Sequence, residues 1–324
     1  MGTSHCHDGV LTQFHLANNV EKVNVMTMTS PPTIFIFGLG FTGSRLAQML
    51  VERGWRVRGT RRDPQSPMPV GQELPKTVEV FPFSAGQPIA VPDQAFDGIT
   101  HVVSTIAVIG GSDPVLAAHG SALAATGAWA GYVSATSVYT ESDGGWVTED
   151  SEAKPISRRG QLRRQAEQDW QDMMQAEVFR AAGIYGAGRS AFQALLSGTA
   201  RIIRKPGHLF NRIHVIDLAR IIMSAMETPS PRRILNCADG HAAEAGEVVR
   251  AAAAMLGVDA PLAVDFADAD MSEMARSFYA TARCVDSQRL KTDLNLDLLY
   301  PDYQSGLAAI FKEERKLGLI PESR

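Results

Sequence analysis

Thr33-Ile34-Phe35-Ile36-Phe37-Gly38-Leu39-Gly40-Phe41-Thr42-Gly43 decides the fold. Five apolar, β-favouring residues run without a polar break, as in a strand buried on both faces. Three glycines follow at once, spaced Gly-x-Gly-x-x-Gly. Leu46, Ala47, Leu50 and Val51 then fall on one side of a helical pattern that stops at Gly54. Residues 55–60 read as a second strand. Strand, glycine turn, helix and strand make a βαβ unit.

Outward from this unit the alternation continues. Further strands are expected at 77–81, 100–105, 132–135, 177–180 and 233–237, and helices at 114–130, 160–175, 216–227, 243–256 and 301–317. Strands alternating with helices imply an α/β fold, a doubly wound parallel sheet of the Rossmann type with a smaller C-terminal substrate domain. Residues 64–75 carry four prolines and read as a loop. The expected division is a disordered tail over 1–31, a dinucleotide-binding domain over 32–182, and a mainly substrate domain over 183–324. Residues 209–240 are expected to return to the nucleotide domain.

The remaining composition excludes several classes. The chain has 324 residues and a net charge of −4, which gives no electrostatic reason for nucleic acid as a partner. No apolar run approaches the roughly 20 residues that span a bilayer, so no membrane partner is expected. Cys6, Cys237 and Cys284 are odd in number and far apart, and read as reduced thiols of a cytoplasmic protein. His5, Cys6 and His7 stand alone in a polar tail, so no metal site is expected. Met26 or Met28 offers an alternative start to Met1.

The glycine spacing has a physical reason when it sits between a strand and a helix. Gly38 permits the tight turn, Gly40 lets the backbone approach a pyrophosphate, and Gly43 lets helix and strand pack closely. The helix N-terminus offers free N–H groups and a positive dipole end. Gly38, Leu39, Gly40, Phe41, Thr42 and Gly43 are therefore expected to bind a dinucleotide. At the end of the second strand an NAD site wants a carboxylate for the ribose 2′-hydroxyl. Thr60-Arg61-Arg62 stands there instead, with Asp63 beyond both arginines. Two guanidiniums suit a 2′-phosphate, so NADP is the expected cofactor, ahead of NAD. A solvated basic corner is the alternative. Ser104 and Thr105, closing the strand beside the glycine loop, are candidate cofactor contacts or simply small residues at a crowded strand end.

Three further segments carry a resemblance: Tyr132-Val133-Ser134-Ala135-Thr136-Ser137-Val138-Tyr139, Phe179 to Arg189 (Phe-Arg-Ala-Ala-Gly-Ile-Tyr-Gly-Ala-Gly-Arg), and Arg212-Ile213-His214-Val215-Ile216-Asp217-Leu218-Ala219. Together with the glycine loop they resemble the extended short-chain dehydrogenase/reductase superfamily of NAD(P)-dependent epimerases and dehydratases, in its atypical branch. The resemblance implies a catalytic Tyr-x-x-x-Lys with a glutamate four residues past the lysine. Anchored on Glu167, it places Arg159 at the tyrosine and Arg163 at the lysine. The implied catalytic Ser or Thr falls on Ala135, and a one-residue slip offers Ser134 or Thr136.

Arginine stays protonated throughout the usable pH range, so Arg159 cannot exchange a proton as the tyrosine does. Arg159 and Arg163 share a helix face and suit an anionic ligand, or else face solvent. Tyr139 ends a strand at the edge where open α/β sheets place ligands, as a proton donor or a packed core residue. Tyr185 ends the next, and His214 is either a titrating group or a structural one. Candidate catalytic residues are thus Tyr139, Thr136, Arg159 and Arg163. The expected activity is an NADP-dependent oxidoreductase or epimerase/dehydratase-like reaction on a small, anionic molecule, by a monomer or homodimer. A non-catalytic NADP-binding sensor is the alternative from a different class.

Overall fold

In a computed structural model, the described residues are 31–140, 144–279 and 281–321. The tail assigned to 1–31, with His5, Cys6 and His7, lies outside them apart from Pro31.

The N-terminal part alternates as β1 (Thr33–Phe37), α1 (Phe41–Glu52), β2 (Arg56–Arg61), β3 (Glu79–Pro82), α2 (Pro92–Phe96), β4 (His101–Ser104), α3 (Pro114–Ala125) and β5 (Trp129–Ala135). After a two-residue β6 (Trp146–Val147) come α4 (Arg158–Met174) and β7 (Glu177–Ala181). The rest runs β8 (Gly183–Tyr185), α5 (Ala191–Leu196), β9 (Ile202–Arg204), β10 (Arg212–His214), α6 (Val215–Glu227), β11 (Ile234–Cys237), α7 (Ala245–Leu256), β12 (Ala263–Asp265), α8 (Glu273–Ser277), β13 (Cys284–Val285), α9 (Arg289–Leu294) and α10 (Tyr303–Lys316).

Seven strands form one parallel sheet in the order β11-β7-β5-β4-β1-β2-β3. The order reverses at β1, between β2 and β4, and open α/β sheets bind ligands at such a point. Alternation along β1 explains the layers. Ile34 and Ile36 face a core with Leu46 and Leu50 of α1 and Leu218 and Ile222 of α6. Phe35 and Phe37 face the other core, with Val115 of α3 and Trp170 of α4.

Residues 215–237 lie in the main layer: β11 pairs with β7, and α6 packs on α1. Beyond them, Phe192, Ala252, Tyr303, Leu307 and Ile310 make a smaller core, beside the short pairs β10-β8 and β12-β9. The helix expected over 114–130 stops at Ala125, because Gly127 takes φ +64° and β5 already starts at Trp129. Among the described residues no helix is long and apolar enough to cross a membrane.

Candidate active site

The glycine loop leaves the carboxyl end of β1, and each glycine has a separate reason. Gly38 takes φ +92°, a left-handed value that side chains disfavour. A Cβ on Gly43 would stand 2.1 Å from the Gly38 carbonyl oxygen. Gly40, which precedes α1 as its N-cap, has no atom within 4 Å of the space a Cβ would fill. The N-terminal turn of α1 carries no acidic side chain. Open space, free N–H groups and a positive helix end fit a pyrophosphate.

Two threonines hold this loop. Thr60 Oγ1 accepts from the Gly38 N–H at 2.9 Å, and its carbonyl accepts from the Leu39 N–H at 2.8 Å. Thr105 Oγ1 donates to the Gly38 carbonyl at 2.8 Å and lies 3.2 Å from that of Phe37. Both were expected to touch cofactor; in the structure their hydroxyls are spent on the loop. Ser104 is fully buried with its Oγ unpartnered, and Leu39 is buried too. They build the cradle from beneath.

At the end of β2 the two arginines differ. Arg61 Nη1 donates to the Ser66 carbonyl at 2.8 Å and the Pro64 carbonyl at 3.3 Å, so this guanidinium folds the following loop. Asp63 accepts from the Ser66 hydroxyl and from the Gln65 N–H, which together hold its carboxyl below its ordinary range. Arg62 is exposed and makes no hydrogen bond or ion pair with the described residues. It is the freer cation.

The catalytic candidates fare unequally. Arg163 Nη1 donates to the Tyr132 hydroxyl at 3.0 Å and the Val133 carbonyl at 3.2 Å, with its guanidinium over the Tyr132 ring. Arg159 lies one turn earlier on α4, exposed, 5.7 Å above the Phe278 ring. The two do not form a matched pair: one is tied to β5 and the other lies over the Phe278 ring. Thr136 stays half-buried at the carboxyl edge of β5, and its carbonyl accepts from Arg283 at 2.7 Å.

Tyr139 must be corrected. It is 1% exposed, its hydroxyl donates to Asn236 Oδ1 at 2.6 Å, and burial pushes its pKa up. A buried, engaged phenol that ionises less readily is a core residue. Ser134 is also withdrawn, because it is buried and donates to Glu167 at 2.6 Å.

His214 resolves as structural. Its Nδ1 accepts from the Ile216 N–H at 3.2 Å and caps α6, and burial pushes its pKa down to about 4. The ring is therefore neutral at pH 7, with the proton on Nε2. Tyr185 packs edge-on against it at 5.3 Å. Sequence reasoning passed over Arg180, which pairs with Glu167 behind β5; a charged residue inside the apolar run of β7 was the available signal. Among the described residues no cluster of His, Cys, Asp or Glu is placed to hold a metal.

This geometry has known counterparts. No family model matches the chain. A functionally unknown conserved protein from Silicibacter pomeroyi is 38% identical, with a TM-score of 0.79 over 87% of this chain and 99% of that one. Protein YeeZ of Escherichia coli K12 is 23% identical over 83% of this chain and 96% of its own length. The NAD complex of dTDP-glucose 4,6-dehydratase from Bacillus anthracis shares the fold at 14% identity, with a TM-score of 0.72 over 88% and 97% of the two chains. The chain has the fold of the NAD-dependent epimerases and dehydratases. Within that fold, its glycine loop occupies the first βα turn of the parallel sheet, and Arg159 and Arg163 occupy the first turns of α4, which follows β5 and the short β6.

Proposed function

We propose that the protein is an NADP-dependent oxidoreductase or epimerase/dehydratase-like enzyme of the cytosol, a monomer or homodimer acting on a small anionic molecule without a Tyr-x-x-x-Lys pair. The observation that carries this reading is the open side of Gly40 above a loop braced by Thr60 and Thr105. The other described glycines with such open space take a positive φ that itself calls for glycine, whereas Gly40 has φ −92°. Gly38 to Gly43 and the first N–H groups of α1 hold the pyrophosphate, and Arg62 takes the 2′-phosphate. The nicotinamide, when bound, supplies a hydride acceptor or donor. Thr136 orients the substrate oxygen by a hydrogen bond, and Arg159 remains available to an anionic group.

A second reading, an NADP-occupied sensor without turnover, is favoured by one observation: Arg163 is already engaged by Tyr132 and Val133, while Tyr139 is buried. Neither supplies a titrating group at the edge of β5. Calorimetry with NADPH, followed by its absorbance against carbonyl compounds and nucleotide sugars, tests both. Turnover supports the enzyme, and binding without turnover supports the sensor. A protein that does not bind NADPH is neither.

A further inference from the structure

A cavity of about 320 Å³ lies in the C-terminal part, lined by Tyr185, Arg189, Gln193, Arg212, Val248 and Leu307 among others. Its lining residues bring two guanidiniums, apolar surface and no carboxylate. The cavity adjoins the cofactor loop, since the Arg189 guanidinium lies 5.5 Å above the ring of Phe41, the first residue of α1.

The turn that carries Arg189 is held firmly. Gly186 and Arg189 exchange backbone hydrogen bonds of 3.2 and 2.9 Å. Glu314, fully buried, accepts from the Gly188 N–H, the Ser190 hydroxyl and the Gln193 amide, each at 2.9 Å. With its oxygens so occupied, Glu314 pairs with neither arginine. The Arg189 guanidinium makes no hydrogen bond or ion pair with the described residues and lies only over the Phe41 ring. Arg212 donates through Nη1 to the carbonyls of Phe210 and Ala243 at 2.8 and 3.2 Å, which fixes the guanidinium while Nε and Nη2 stay free.

Beside Arg212 sits a carboxyl that nothing described above uses. Asp239 is 5% exposed; its N–H donates to the Arg212 carbonyl at 2.7 Å and its Oδ1 accepts from the His241 N–H. Its Oδ2 has no partner, and no ion pair closes between it and Arg212. A buried carboxyl oxygen left unpaired next to an underused guanidinium marks a place where a third group completes the hydrogen bonding.

We propose that this cavity takes the anionic end of a small organic ligand with a flat apolar body, held by Arg189 and Arg212, while Asp239 competes with that ligand for Arg212. The site rests on the reading of the chain as binding a small anionic molecule, and it moves the anion contact from the α4 arginines to these two. The shared ligand chemistry is a carboxylate or phosphate on a ring-sized apolar group, since Val248, Leu307 and the Tyr185 ring offer nothing to a bare anion. Charged and titratable groups facing Asp239 are Arg212, Tyr185, Asp302 and His241. Burial raises the Asp239 carboxyl to about 7. Protonated, it leaves Arg212 to the ligand; ionised, it attracts Arg212 and repels an anion.

The test is calorimetry on the full chain, without cofactor, using benzoate, phenyl phosphate and inorganic phosphate as probes. Benzoate keeps its charge between pH 6 and 8, so it carries the pH arm. The ring-bearing probes should bind, tighter than inorganic phosphate, with the benzoate affinity falling as pH rises. Arg189→Ala, an exposed change, should weaken them by about tenfold or more, the scale of one charge-assisted hydrogen bond. Arg212→Met should do the same. Asp239→Asn should remove the pH dependence, and His241→Ala should leave it in place. Equal binding by parent and Arg189→Ala, inorganic phosphate binding as tightly as phenyl phosphate, or no binding at millimolar probe overturns the site. A pH dependence that survives Asp239→Asn overturns the role of that carboxyl. NADPH binding, measured separately, reports on the cofactor reading whatever the probes do.

Discussion

Arg180 closes a two-point ion pair on Glu167, Nε to Oε1 at 3.0 Å and Nη2 to Oε2 at 2.8 Å, with neither residue more than 1% exposed. Ser134 and Arg164 complete the carboxylate's partners. This pair joins α4 to β7 directly behind the edge where Thr136 stands. Glu167→Gln leaves Arg180 buried without its counter-charge and should cost about 3–5 kcal/mol. Denaturant unfolding reads this, and a loss below 1 kcal/mol would show that the pair is dispensable.

The two small changes in the glycine loop should separate folding from binding. Gly43→Ala drives a methyl to 2.1 Å from the Gly38 carbonyl oxygen and should lower stability by at least about 1–3 kcal/mol, the cost of an overpacked site. Gly40→Ala meets open space, so the melting temperature should hold while NADPH affinity collapses. If Gly40→Ala binds NADPH like the parent, the open side is not where the pyrophosphate sits.

Cofactor preference should rest on Arg62 more than on Arg61. NADPH is expected to bind about tenfold tighter than NADH, a difference of ~1.4 kcal/mol. Arg62→Ala should erase that gap. Arg61→Ala releases the carbonyls of Pro64 and Ser66 and should weaken both cofactors together. Calorimetry decides; equal affinities in the parent protein would end the NADP reading.

Tyr139→Phe should behave as a core substitution. Asn236 Oδ1 loses its donor, for about 1–3 kcal/mol of stability, and cofactor binding should not change. A variant that kept its stability but lost turnover would return Tyr139 to the chemistry.

Asp239 makes a stability prediction with a definite sign. Its carboxyl is raised from 3.8 to about 7 by burial, so the folded chain keeps a proton that the unfolded chain releases. The stability this contributes is complete below pH 3.8 and is lost as pH rises through about 7. Asp239→Asn removes the loss and should be the more stable protein at pH 8, by an amount on the order of 2 kcal/mol. Melting curves at pH 5 and 8 check it. A variant that melts lower than its parent at pH 8 reverses the argument.

The parts legible in the sequence were those with a local cause. The β1 run, the glycine spacing and the apolar side of α1 each follow from residues within a few positions of one another, and β2, β5, β7 and α6 were found the same way. The β10-β8 pair was not, because three-residue strands have no period to read and Arg212 meets Gly183 only through tertiary contact. Side-chain partners were hidden for a related reason. A short 3-10 turn over Thr136–Val138 redirects the chain, so placing Tyr139 near a strand end did not reveal that it points at Asn236. Arg61 and Arg62 read alike until the loop folded back onto one of them.

The braces on the glycine loop come from β2 through Thr60 and from β4 through Thr105, and no atom of α4 takes part. The cradle and the reacting edge therefore stand on separate foundations. Side chains on α4 can change while the braces of the glycine loop stay intact. For an engineer the same separation means that new chemistry can be written onto α4 without rebuilding the seat.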